Sequence, residues 1–311
     1  MPRTPLHPRT QQLIEMFLAS DVPPPPDCTV EQRRERAAGL PAMLGPGPAV
    51  DAVRDIGIPG PAGELAAREY RPQDPLATIV YFHGGGWVVG TLDTFDAFAR
   101  KLAVETSSTV VSVEYRLAPE HRFPCAVDDA WAALQWIAGQ DHDGPLIVCG
   151  DSAGGNIATV CARLARDAGG PRIALQVLAY PVVDHDLDTE SYREQADNPL
   201  LGYRDMAWYW DLYAPDAADR EHISASPLHA DLSGLPPVYL LVAAHDPLRD
   251  EVEAYATKLA QAGVPVTRRT YEDQAHGFLT MVNYLPTADQ AVADIGEAVR
   301  SWLTGHPSRP S

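Results

Sequence analysis

Leu146-Ile147-Val148-Cys149-Gly150-Asp151-Ser152-Ala153-Gly154 runs from a short apolar segment into a helical pattern that continues to Ala168. The apolar segment reads as a buried strand, and the glycines at 150 and 154 mark a tight strand-to-helix turn where a Cβ would clash with neighbouring backbone. Such a turn holds the Ser152 hydroxyl out at a helix N-terminus, where exposed N–H groups and the helix dipole favour developing negative charge. A bare GxSxG occurs by chance in roughly one chain in ten of this length. Its position between strand and helix is what gives it weight.

Outward from this junction, strand-like and helix-like segments alternate from Val53 onward. Val53–Ile58 and Leu65–Tyr70 read as an opening pair of strands, followed by strands at Thr78–Phe82, Thr109–Glu114, Leu146–Cys149, Ile173–Ala179, Val238–Ala244 and Pro265–Tyr271. Helical patterns fall at about Thr94–Glu105, Cys125–Ala138, Ser152–Ala168, Glu251–Ala262 and Ala288–Leu303. Alternation of this kind predicts an α/β fold with a mostly parallel sheet of eight strands and helices on both faces. The rhythm breaks at about 183–235, a long insertion expected over the carboxyl edge of the sheet, where open α/β sheets bind ligands. Its run Met206, Trp208, Tyr209, Trp210 and Tyr213 either lines an acyl pocket or packs helix to helix. Residues 1–50, with Pro23–Pro26 and a charged helix at Glu31–Ala38, read as an element appended to the catalytic domain at 51–311. The tail Gly305–Ser311 is expected to be mobile.

A serine needs a base within hydrogen-bond reach to act as a nucleophile. Of ten histidines, His276 stands in Gln274-Ala275-His276-Gly277-Phe278, between the last strand and the last helix and at the same sheet edge as Ser152. His245 is its one serious rival. The base in turn needs an acid to hold its tautomer. Asp246, after the strand Val238–Ala244, fits, with Asp250 and Asp184 as rivals, and the order Ser152, Asp246, His276 suits a strand-end triad. A third element is His83-Gly84-Gly85-Gly86-Trp87, directly after the strand Thr78–Phe82. Consecutive glycines let backbone N–H groups turn into a cavity, where each donor to an oxyanion contributes about 3 kcal/mol. The N–H of Ala153 would add another. His83 reads as holding the loop rather than as a base.

Other features exclude function classes. The formal charge of −18, from 24 Lys+Arg and 42 Asp+Glu, disfavours nucleic-acid and anionic-membrane partners and suggests neutral rather than anionic esters. No apolar run reaches the length of a membrane helix, and the N-terminus has no secretory pattern, so a cytoplasmic location is expected. Cys28, Cys125, Cys149 and Cys161 form neither a disulfide framework nor a zinc spacing. Asp184-His185-Asp186 and Asp141-His142-Asp143 lack a third ligand at a plausible spacing, so no metal is expected.

Taken together, His83–Trp87, Tyr115-Arg116-Leu117-Ala118-Pro119-Glu120, Gly150–Gly155, Asp246–Asp250 and His276–Phe278 resemble the bacterial hormone-sensitive-lipase-like (family IV) carboxylesterases of the α/β-hydrolase superfamily. The resemblance runs from about Ile79 to the C-terminus. It implies an α/β-hydrolase fold and a helical cap built from residues 1–50 and the insertion. It further implies short- to medium-chain acyl esters as small-molecule substrates, no cofactor, and a homodimer. It assigns Ser152, Asp246 and His276 as the triad and Gly84, Gly85 and Ala153 as oxyanion donors. Trp87, Tyr180, Trp208 and Phe278 are expected to contact substrate. An amidase, lactonase or acyltransferase on the same triad is the alternative, and a non-catalytic small-molecule receptor the remote one.

Overall fold

A computed structural model describes residues 4–19 and 22–305. The eight expected strands form one sheet: β1 (Ala52–Gly60), β2 (Gly63–Arg71), β3 (Thr78–Phe82), β4 (Thr109–Val113), β5 (Leu146–Asp151), β6 (Ile173–Ala179), β7 (Val238–His245) and β8 (Val266–Ala275). Their spatial order is β1-β2-β4-β3-β5-β6-β7-β8. β2 runs antiparallel to both neighbours, and every pairing from β4 to β8 is parallel. The central strands are mostly apolar because helices cover both faces: every residue of β3, β4 and β5 is buried. One face packs under the helices Cys125–Ala138, Ala153–Ala168 and Arg249–Gln261, the other under Asp96–Thr106 and Pro286–Gly305. Parallel pairing puts the carboxyl ends of β3, β5, β7 and β8 on one rim.

β8 is longer than its apolar pattern suggests. Pairing with β7 carries it to Ala275, opposite His245, so His276 follows the strand with no intervening loop.

The first fifty residues do not stand apart from this rim. The helix Pro8–Leu18 reaches β8, where the N–H of His7 donates to the Asp273 carbonyl (2.9 Å) and the Thr10 hydroxyl to the Gln274 amide oxygen (2.8 Å). The helix Val30–Ala38 starts with a reciprocal Thr29–Gln32 capping box. Its Arg34 donates to the carbonyls of Val88 and Ala118 (3.0 Å each) and, with both terminal nitrogens, to the Glu120 carboxylate (2.7 Å each). Arg33 pairs with Asp205 of the insertion. Within the insertion, the helix Tyr203–Tyr213 buries Met206, Tyr209, Trp210 and Tyr213. Residues 306–311, which hold all but the first residue of the expected mobile tail, lie outside the described residues.

Candidate active site

The turn after β5 is as tight as its glycines require. A Cβ on Gly150 would lie 2.2 Å from the Gly154 carbonyl oxygen, and one on Gly154 would lie 1.9 Å from that of Phe82. Between them Ser152 takes φ +53° and ψ −122°, a conformation that costs a non-glycine residue about 1–3 kcal/mol. Its N–H is tied to the Ala179 carbonyl of the neighbouring strand (2.9 Å), which over-determines the strained geometry.

The three strand ends converge there. Ser152 Oγ lies 2.9 Å from His276 Nε2, and His276 Nδ1 lies 2.7 Å from Asp246 Oδ2. Asp246 is fully buried, and its other oxygen accepts the N–H of Leu248 (2.8 Å), so the carboxylate is fixed by its own turn. The rivals are engaged elsewhere. His245 Nε2 meets the Thr4 carbonyl (2.8 Å). Asp250 accepts the Ser191 N–H (2.7 Å), and Asp184 faces His229 (2.8 Å).

The glycine loop divides differently from expectation. The N–H of Gly84 donates to Asp151 Oδ1 (3.1 Å) and is unavailable to a substrate. This corrects its assignment as an oxyanion donor. Gly85 and Gly86, at φ +109° and +60°, have no backbone or side-chain acceptor for their N–H groups among the described residues. Ala153 opens its helix, so its N–H is likewise outside the helical ladder. The residue missed from sequence is therefore Gly86; its signal was present in the third glycine of the motif.

Asp151 organises this loop from below. Its Oδ1 also accepts the Tyr81 hydroxyl (2.7 Å), and burial raises its carboxyl from the ordinary 3.8 to about 6. His83 acts as a strut: its ring stacks between Phe95 and Tyr115, and Nδ1 donates to the Gly84 carbonyl (2.7 Å). Burial lowers its pKa to about 4, which keeps the ring neutral.

The four aromatic residues expected to contact substrate occupy different surroundings. Trp87 is fully buried, with its ring stacked on Tyr213 (4.1 Å between centroids) and tilted against Trp210. No surface of it is left for a ligand, which corrects its assignment to substrate binding. Tyr180 lies beneath the base, 4.7 Å from the His276 ring, and its hydroxyl accepts the N–H of Leu279. Phe278 packs on Tyr180 and Tyr271 and borders a cavity of about 120 Å³ that also touches His276, Leu13, Phe17 and Leu200. Trp208 is half-buried beside the Arg33 guanidinium. In the insertion's aromatic run, Trp210 and Tyr213 thus serve packing, whereas Tyr209 faces the loop glycine at 86, whose Cβ would meet its ring at 2.3 Å.

One acidic cluster behaves unlike its sequence reading. Asp143 pairs with Arg71 and accepts the Thr109 hydroxyl. Asp184 and His185, by contrast, acquire His229 as a third neighbour because the insertion doubles back on its own start. The expectation that no third donor exists there is overturned.

Comparison with known proteins agrees with this architecture. Residues 79–280 match the model of a family described as alpha/beta hydrolase fold. The chain is 44% identical over 253 residues to the carboxylesterase NlhH of Mycobacterium tuberculosis, covering 76% of this chain and 78% of that protein. It is 41% identical over 299 residues to the esterase LipI of the same organism, covering 90% of each. A hyperthermophilic esterase from Pyrobaculum calidifontis superimposes with a TM-score of 0.90 at 39% identity, over 96% of this chain and 99% of that one.

Proposed function

The chain belongs to the α/β-hydrolase family, in the hormone-sensitive-lipase-like branch of carboxylesterases, and is an ester hydrolase; from that premise we propose that it works through Ser152, His276 and Asp246. Ser152 Oγ attacks the ester carbonyl as His276 Nε2 takes its proton, and Asp246 holds the imidazole and stabilises its protonated form. The N–H groups of Gly85, Gly86 and Ala153 receive the oxyanion. His276 then protonates the departing alcohol, and water attacks the acyl-enzyme by the same route.

The observation that carries this reading is the unbroken relay of hydrogen bonds from Asp246 through His276 to Ser152, at 2.7 and 2.9 Å. Short- to medium-chain acyl esters are the proposed substrates, favoured by the small, mostly apolar cavity beside His276. Residues 1–50 and about 183–235 are proposed to form a cap over the rim, a reading supported by the Arg33–Asp205 pair that joins them. Among the described residues no helix is long and apolar enough to cross a membrane. A cytoplasmic location is proposed from the sequence, and a homodimer from the family likeness.

The test is Ser152→Ala. It should lower kcat on a para-nitrophenyl butyrate-type ester by about 10⁶-fold and abolish labelling by a fluorophosphonate, with circular dichroism unchanged. Near-normal hydrolysis by that variant would remove the assignment.

A further inference from the structure

Asp184 and His185 lie in the segment that follows β6, and His229 lies in the 3-10 turn Pro227–His229 at the far end of the insertion. Forty-five residues apart in the chain, they meet at one point. His229 Nε2 is 2.8 Å and His185 Nδ1 is 3.4 Å from the same Asp184 oxygen, and all three atoms lie within 4.8 Å of one another. Two ligands on a tetrahedral zinc ion, at bond lengths of about 2.0–2.1 Å, are separated by about 3.3 Å. The separations of the two imidazole nitrogens from the Asp184 oxygen bracket that value.

From this geometry we propose that Asp184, His185 and His229 bind a divalent transition-metal ion, with zinc as the biological candidate. Two imidazoles and one carboxylate form a donor set that suits zinc, nickel and copper(II) and selects against magnesium and calcium, which prefer oxygen alone. The fourth position faces solvent, since the His229 side chain is 51% exposed, and water would fill it. The carboxylate and the backbone that carries it are both held in place. The N–H of His185 donates to it (2.8 Å), and buried Glu251 accepts the N–H groups of Val183 and Asp184. His185 Nδ1 also meets the Ser226 hydroxyl (3.0 Å), a contact that a metal would replace. With a net charge of −18, the molecule attracts cations in general, but only this cluster among the described residues offers three convergent donors.

The bound ion would staple the beginning of the insertion to its end. Because the site shares no side chain with the triad, its role is to fix the insertion on the sheet rather than to take part in ester cleavage.

The experiment is calorimetric titration of the full chain, stripped with chelator, with zinc chloride, alongside His229→Ala and His185→Ala. Wild type should bind one equivalent with micromolar affinity, and each variant should lose at least about tenfold. At a hundredfold excess over the wild-type Kd, zinc should raise the melting temperature of wild type by roughly 4 °C and that of His229→Ala by half as much or less. Para-nitrophenyl ester hydrolysis by the metal-free variants should match wild type, which shows that they fold and keeps this test separate from the esterase assignment. Equal zinc affinity in wild type and both variants, or no binding to wild type at submillimolar zinc, overturns the proposal.

Discussion

Replacing Asp151 by Asn should stabilise the protein, and by an amount that grows with pH. The Asp151 carboxyl is buried, and its value stands at about 6 in the folded chain against 3.8 ordinarily, chiefly because burial penalises the charged form. Between these values the native state holds a proton that the unfolded chain has released, so stability falls as pH rises. The contribution is fully present below 3.8 and is lost as pH passes through about 6. A separation of about two pH units corresponds to about 3 kcal/mol. The share already lost is about 1.5 kcal/mol at pH 5 and about 3 kcal/mol at pH 8. Asn mimics the neutral acid at every pH, and its amide oxygen can accept from Tyr81 and Gly84 as the carboxylate does. Urea unfolding of both proteins at pH 5, 6, 7 and 8 should show the stability gap shifting in favour of Asp151→Asn by about 1.5 kcal/mol across the range. The slope is the test, since any constant cost of the amide cancels. A gap independent of pH, or one moving in favour of wild type as pH rises, refutes the argument that burial dominates at this carboxyl.

Asp246→Asn should lower kcat by about 10⁴-fold with little change in KM or unfolding midpoint, because the proposed role of Asp246 is to hold the His276 tautomer; steady-state kinetics on an aryl ester check it. Trp87→Ala should cost about 3–5 kcal/mol in denaturant unfolding while leaving KM unchanged at permissive temperature, since the ring stacks on Tyr213 and touches no open cavity. Gly154→Ala should fail to fold or lose activity outright, because the added Cβ would sit 1.9 Å from the Phe82 carbonyl oxygen; soluble yield and circular dichroism read this out.

The parts legible from sequence were those governed by local pattern. Apolar runs between helical periods set out all eight strands, and the convergence of Ser152, Asp246 and His276 followed from placing each after a strand of one parallel sheet. What stayed hidden depended on direction and return. Whether Gly84 or Gly86 aims its N–H into the site is decided by the Asp151 carboxylate, which captures the first of them from the end of another strand. Trp87 follows the glycine loop in sequence, but its backbone, at φ +60°, carries the ring into the stack with Tyr213. The partnership of His229 with Asp184 arises only because the insertion returns to its origin, and no local spacing encodes such a return.

Arg34 spans the N-terminal segment and the backbone beside the glycine loop, holding Val88, Ala118 and Glu120 at once, while His7 and Thr10 grip the strand that ends at the base. The segment is therefore not a modular part. A chimaera that imports a relative's first fifty residues to change selectivity also exchanges the scaffold that tensions both halves of the chemistry. Grafts that keep an arginine at 34 and the β8 contacts should retain turnover, whereas those that break them should lose rate before they change preference.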